Sequence, residues 1–302
     1  MLLNLREYHR PATATPDRAL DHALELLARP GIRTVPLAGG DTLLASADPT
    51  VEAVVDLQGL DALNFVSMDR ADMLLGVGAM TTRAALAETL AREEAWSLYQ
   101  VIAEGARRWG GNIQRNRATV GGAIATAASN DPLLVALLAC DAVVTFETSS
   151  GTHYLNLVEF LPARAAVLTE PALVVDVFVS RDARVTPPNA EWALTNVART
   201  PADAPIVVAA AMLALDDGHI VHANLALGGV AETPILLREV ERALRWRAPG
   251  EALFAHAGAL AASLVQPIGD FRGTAEYRKA MAGVLAERAL RQAWQKANRT
   301  ED

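Results

Sequence analysis

The sequence predicts an α+β fold with an alternating front part and an antiparallel rear part. Short apolar runs alternate with helix-like stretches as far as Ser180. Beyond that point two long apolar runs, Ile206 to Leu215 and Ile220 to Leu227, are joined through Asp216, Asp217 and Gly218. Alternating strand and helix patterns select layered α/β units, whereas neighbouring strands joined by a tight turn select an antiparallel sheet. Proline and charge thin the pattern from Arg181 to Asn189, which marks a linker between the two styles.

Residues Thr15 to Leu27 read as a helix, with Thr15 as cap, Pro16 in the first turn and Leu20, Leu24 and Leu27 on one face. A buried strand, Arg33 to Ala38, runs directly into Gly39 and Gly40. Strands at Ala53 to Leu57 and Met73 to Val77 then precede a helix at Thr82 to Arg92. Between Glu104 and Ala128 the glycines come in pairs, Gly110 with Gly111 and Gly121 with Gly122. Asp131 and Pro132 open an apolar helix, Leu133 to Ala139, that is apolar on nearly all sides and is therefore expected to be buried.

Ala142 to Thr148 and Thr152 to Leu157 flank Ser149, Ser150 and Gly151 as a hairpin, and Leu173 to Val179 adds a strand. After the linker come Trp192 to Val197, the two long strands, and a final helix, Thr274 to Ala297, on which Tyr277, Met281, Val284, Leu285 and Trp294 keep helical spacing. This organisation divides the chain into residues 1–57, 58–180 and 189–302.

Composition excludes several function classes. The net charge of -8, from 35 acidic and 27 basic residues, disfavours binding to nucleic acid or to an anionic membrane. One cysteine, Cys140, supplies neither a disulfide framework nor the thiolates of an iron-sulfur cluster. Charges at Arg6, Glu7 and Arg10 break any signal-peptide core, and no run is long and uncharged enough to span a bilayer, so a cytoplasmic location without membrane insertion is expected. His219 and His222 are three apart on a strand and so face opposite sides, which argues against a metal pair. Arg107, Arg108, Arg115 and Arg117 form a basic cluster readable as a solvated face, a phosphate clamp, a docking face for an acidic partner or, last, a nucleic-acid patch.

Two segments carry chemistry. In Leu37, Ala38, Gly39, Gly40, Asp41, Thr42, Leu43 and Leu44, paired glycines after a strand let consecutive backbone N–H groups turn toward one anion, with the Thr42 hydroxyl as a neutral donor. An isolated Gly-Gly is more often a mere strand-to-helix turn. The second segment repeats the device, with Thr119 before Gly121 and Gly122, and Ala123, Ile124 and Thr126 after them. Two such bends suit the opposite sides of one diphosphate. Neither matches the P-loop, and Gly76-Val77-Gly78 lacks the third glycine of the dinucleotide fingerprint.

The stretches LAGGDTLL, RNRATVGGAIATA, DPLLVALLACDAVV and LALGGVAETP resemble the FAD-binding medium subunit of the molybdenum hydroxylase family, the xanthine dehydrogenase and carbon monoxide dehydrogenase type. The opening LREYHRPATATPDRALDHALELL, the middle GVGAMTTRAALAE and the late EYRKAMAGVLAERAL extend the likeness over the whole chain. The resemblance implies an FAD-binding fold of the vanillyl-alcohol oxidase (PCMH) type. In it, two α/β subdomains clasp an extended, noncovalent FAD, and a C-terminal α+β domain of antiparallel sheet and helices closes over it. It also implies partners: a large subunit with the molybdenum cofactor and a small subunit with [2Fe-2S] clusters. Electrons would leave the flavin for NAD, a quinone or oxygen.

Carried over by position, Leu37 to Leu44 would surround the pyrophosphate, with Thr119, Gly121, Gly122, Ala123, Ile124 and Thr126 facing it. Asp131 would accept hydrogen bonds from the flavin's sugar-like hydroxyls, or serve only as a helix cap. Val175 would lie against the ring system. Trp109 would stack on the cofactor or belong to the core. Asp41, Ala118 and Ala123 depart from the family pattern, and Asp41 would have to turn away from the pyrophosphate into an Asx turn. Two further readings remain: a flavin-free structural or assembly subunit, motivated by those departures, and a self-contained flavin oxidoreductase. No catalytic side chain is assigned.

Overall fold

Residues 4–11, 16–69, 74–92, 99–169, 171–180, 190–200 and 202–298 are described by the structure, a computed structural model. The expected linker Arg181 to Asn189 and the cap Thr15 lie outside them. The first unit is a parallel sheet of β1 (Glu7–His9), β2 (Thr34–Leu37) and β3 (Ala53–Asp56), with α1 (Pro16–Leu27) and α2 (Asp41–Ser46) between strands. Strand β3 lies in the middle, in the order β1-β3-β2, and all four of its residues are buried. Val55 faces Ala19, Ala23 and Leu24 of α1 in one small core, while Val54 joins Val51, Val35 and Leu37 in another. One central strand thus feeds opposite faces through its two-residue period.

The second unit has β4 (Val66–Asp69), β5 (Leu74–Gly78), α3 (Arg83–Ala91), α4 (Gln100–Arg107), α5 (Asn112–Arg117), α6 (Val120–Thr126) and α7 (Pro132–Ala139). Then follow β6 (Val143–Thr148), β7 (Gly151–Asn156), α8 (Leu157–Val167) and β8 (Ala172–Ser180). Its sheet runs β4-β5-β8-β6-β7, and every neighbouring pair is antiparallel. The expected hairpin joins β6 and β7 through Ser149 and Ser150. Helix α8 begins at Leu157, which the sequence pattern gave to the strand, because apolar Leu157, Phe160 and Leu161 share a buried helical face.

The third unit is the antiparallel sheet of β9 (Glu191–Val197), β10 (Val207–Asp216), β11 (His219–Gly228) and β12 (Ile235–Leu236), followed by α9 (Arg238–Leu244), α10 (Glu251–Leu264) and α11 (Ala275–Ala297). Nine of the ten β10 residues are buried. Val208, Ala210, Met212 and Ala214 join the large core shared with α7, while Ala209, Ala211, Leu213 and Leu215 join the core under α10 and α11. Helix α7 is buried at all eight positions, as its composition predicts, because it is packed between α4 and the third sheet. Its last turn is held from β11, where the Asn224 side-chain amide donates to the Ala139 carbonyl at 3.0 Å.

The apolar face of α11 differs from the expected one. Tyr277 and Val284 are exposed, and the buried face is Ala282, Leu285, Ala286, Ala289, Leu290, Ala293 and Ala297. Small side chains bring the backbones together: a Cβ on Gly258 would lie 2.7 Å from the Gly283 carbonyl oxygen. Large apolar side chains are left at the margins of so close a contact.

Cys140 ends α7 with its thiol buried and its Sγ 3.7 Å from the Met212 sulfur. Burial pushes its pKa far above the ordinary thiol value, and Asp141 adds to this. The folded chain is therefore expected to leave a thiol reagent unreacted, and to take up one equivalent in denaturant; rapid labelling of the native protein would contradict this packing.

Candidate functional site

The two glycine segments meet. Strand β2 ends at Leu37, Ala38 and Gly39 bend, and Gly40 adopts φ +72 as the residue before α2. A Cβ on Gly39 would overlap the carbonyl oxygen of Arg117, so the first segment touches the second backbone to backbone. Gly40 alone has the left-handed conformation that the paired glycines led us to expect; Gly39 is required for close approach.

The second segment is a helix start, which corrects the expectation of a second bend of the same kind. Thr119 caps α6 by accepting from the Gly122 amide at 3.1 Å. Val120 N–H donates to the Thr81 carbonyl at 2.9 Å, Gly121 N–H to Ala79 at 2.8 Å, and Ala123 N–H to Thr119 at 3.0 Å. Its first-turn amides are therefore consumed. Gly121 serves packing, since a Cβ there would press on Ala79, and a Cβ on Gly122 would crowd the Thr119 hydroxyl that caps the helix. The amides of Gly39, Gly40, Asp41 and Thr42, by contrast, have no acceptor among the described residues. The donors available to an anion lie on one wall, and the small-residue surface lies on the other.

Between the walls is an open cleft of about 370 Å³, within the range of small-molecule sites. Ala38, Gly39, Gly40, Asp41, Thr42 and Leu43 line one side, and Thr119, Gly121, Gly122, Ala123 and Thr126 the other, with Trp109 and Asp131 also in the lining. Four expected residues are not in it. Leu37 packs under the first sheet beside Val51 and Val54, and Leu44 lies on the outer side of α2, 40% exposed. Ile124 points into the core from the rear of α6. Val175 gives its carbonyl to the Ala79 amide at 2.8 Å, and its neighbours Leu173 and Val174 face the cleft instead. The β6/β8 register shifts at this point, which a strict two-residue alternation does not anticipate.

Asp131 is buried, and its carboxylate is engaged. Oδ1 accepts from the Leu133 amide at 2.9 Å and from Arg83 Nη1 at 3.0 Å, and Oδ2 accepts from Arg83 Nη2. The helix cap is thus realised, and the carboxylate is also the anchor of a buried guanidinium. Arg83 in turn lies over the Trp109 ring, 5.0 Å from its centroid. Sequence reasoning missed Arg83, although it shares the buried face of α3 with Leu86, Ala87 and Leu90 at helical spacing. The apolar floor of Leu57, Met80, Leu168, Leu173 and Val174 was also missed.

Asp41 lines the cleft but makes no hydrogen bond to its own backbone, so the expected Asx turn is absent. The basic cluster separates by role. Arg107 donates to the Ala87 carbonyl, Arg108 to Glu104, Leu194 and Asn196, and Arg115 to the Gly110 carbonyl and Asn112. Arg117 has no such partner among the described residues, and its Nη2 would lie 3.4 Å from a Cβ on Gly40. No group of three metal-ligating side chains occurs among the described residues, and no described helix is long and apolar enough to cross a membrane.

A strand-ended diglycine turn faces a glycine-rich helix start across one cleft, with an antiparallel sheet and helices beside it, and the family matches identify this arrangement as the FAD-binding fold of the PCMH type. Residues 7–181 match the FAD-binding domain of molybdopterin dehydrogenases, and residues 192–293 match the C-terminal domain of carbon monoxide dehydrogenase flavoproteins. The chain belongs to the FAD-binding medium subunits of the molybdenum hydroxylase family, the carbon monoxide and xanthine dehydrogenase type.

Its relatives include the carbon monoxide dehydrogenase medium chain of Afipia carboxidovorans, 28% identical over 95% of this chain and 96% of that one. Another is the 6-hydroxypseudooxynicotine dehydrogenase complex subunit alpha of Paenarthrobacter nicotinovorans, 29% identical over 94% and 95%. Among solved structures, carbon monoxide dehydrogenase from Hydrogenophaga pseudoflava superposes with a TM-score of 0.86 at 26% identity, covering 98% of this chain and 99% of that one.

Proposed function

We propose that the chain binds one noncovalent FAD in this cleft and passes electrons from [2Fe-2S] clusters of a small partner subunit to an acceptor such as NAD, a quinone or oxygen. The clusters would be reduced by a molybdenum-cofactor large subunit. Residues 1–57 and 58–180 would be the two halves of the flavin clasp and 189–302 the domain beside it. The observation that carries the reading is the cleft itself: amides from Gly39 to Thr42 that have no acceptor among the described residues face a wall of Gly122 and Ala123, whose hydrogen and methyl group leave room for a diphosphate. Bound there, the flavin supplies reversible electron acceptance. The chain's own residues bind and orient it, and Leu57, Met80, Leu173 and Val174 keep water from one side of it.

The test is calorimetric titration of the purified chain with FAD, followed by mixing with partner subunits and substrate. One equivalent of tightly bound flavin, reduced only in the presence of the partners, is expected. Failure of FAD to bind would favour the flavin-free subunit, a reading supported by the Asp41 carboxylate in the cleft lining. That carboxylate is expected to oppose a bound diphosphate, so Asp41→Asn should tighten FAD roughly fivefold at low ionic strength and less at high salt. Dissociation constants at two salt concentrations check this, and an unchanged affinity would place the carboxylate away from the phosphates.

A further inference from the structure

We propose that the edge of the Arg83 guanidinium left free by Asp131 is a binding group for acceptor oxygens of the dinucleotide, an inference that rests on the FAD reading above. Arg83 is 2% exposed and Asp131 1%. A guanidinium has five N–H donors in a planar fork. Asp131 takes the end of that fork, Oδ1 against Nη1 and Oδ2 against Nη2. The side of the fork, Nε–H with the adjacent Nη–H, is left, and Nε is buried without a partner among the described residues. Three other described side chains bury an unpartnered nitrogen, Arg29, Arg164 and His222, but only Arg83 lines the cleft.

The guanidinium is held in place on three sides. Asp131 is itself fixed by capping α7 through the Leu133 amide. The Trp109 ring lies against the guanidinium, its centroid 5.0 Å from the central carbon, and favours the orientation that Asp131 fixes. The Arg83 backbone amide donates to the Ala118 carbonyl at 2.9 Å, and Thr82 bridges to Thr119, so the residue is tied to the wall that carries Gly121 and Gly122. A buried, preoriented pair of parallel donors suits two chemistries on an FAD: phosphate oxygens and the carbonyl oxygens of the flavin ring.

Arg83→Lys keeps a charge against Asp131 but has no second pair of donors. Its apo unfolding midpoint and its dissociation constants for FAD and for ADP are to be measured beside the wild type. FAD is expected to weaken by about tenfold or more while the apo midpoint stays close to that of the wild type. An equal loss for ADP assigns the contact to phosphate oxygens, and a loss for FAD alone assigns it to the flavin half; both support the proposal. An arginine with a purely structural role would lower the apo midpoint and leave the affinity of the folded protein unchanged, which overturns it. Should the lysine variant not fold, the doubly neutral Arg83→Gln/Asp131→Asn, which retains a cap and a hydrogen-bonding pair, is read by the same criteria. Wild type that fails to bind FAD removes the underlying reading; wild type and variants that bind alike remove this proposal only.

Discussion

Gly39→Ala is expected to abolish measurable FAD binding and to destabilise the apo chain by about 3 kcal/mol or more, the upper range for overpacking. The methyl group would enter the carbonyl oxygen of Arg117, a backbone atom that cannot rotate away, and the two walls of the cleft would have to part. The free amides from Gly39 to Thr42 would move with their wall, so affinity and stability should fall together. Gly111→Ser is the matching control. Nothing lies within 4 Å of a Cβ there, and the residue caps α5, so stability should stay within about 0.5 kcal/mol of wild type. Urea unfolding with and without FAD reads both variants. A fully stable, flavin-binding Gly39→Ala chain would mean that the two segments do not touch.

Asp131→Ala is expected to be the more damaging for stability. It strands the Arg83 charge in the interior, which costs about 3–5 kcal/mol, and it uncaps α7, which costs about 1 kcal/mol more. Helix α7 is packed between α4 and the third sheet, so its loosening should propagate through the large core that it shares with β10. Asp131→Asn keeps the cap and one acceptor, and a clearly smaller loss is expected. Equal losses in the two variants would show that the retained cap and acceptor contribute little and that the carboxylate charge opposite Arg83, lost in both, is what matters.

Much of the site could be read before the structure because its demands are local. Gly40 needs a left-handed backbone, and the residue type announces it. Asp131 followed by proline and an apolar run is a helix start by rules acting within four residues. The second glycine pair misled because glycine tolerates both a left-handed bend and close helix packing, and only the nearness of Ala79 selects the latter. Arg83 left a signal that was passed over: an arginine three, four and seven residues before Leu86, Ala87 and Leu90 lies on the buried face of α3 and so requires a partner. That the partner is Asp131, 48 residues away, is not a local fact.

The final helix makes the same distinction. Counting large apolar residues pointed to Tyr277, Met281 and Val284, while the chain buries a row of alanines, because Gly258 and Gly283 bring α10 and α11 into backbone contact. Size favours burial only where there is room for it.

The sequence by itself determined the longer strands, the first and last helices and the β6/β7 turn, that helix α7 is interior, and which small-residue segments belong to a flavin-binding chain, since these depend on periodicity, capping and short motifs. Only the tertiary structure decided that the first sheet is parallel and the second antiparallel, that β10 divides two cores, and that one wall of the cleft carries the free amides while a buried arginine is tied to the other. Strand direction, close approach and charge pairing are settled between residues far apart in the chain, where local preference carries no information and packing makes the choice.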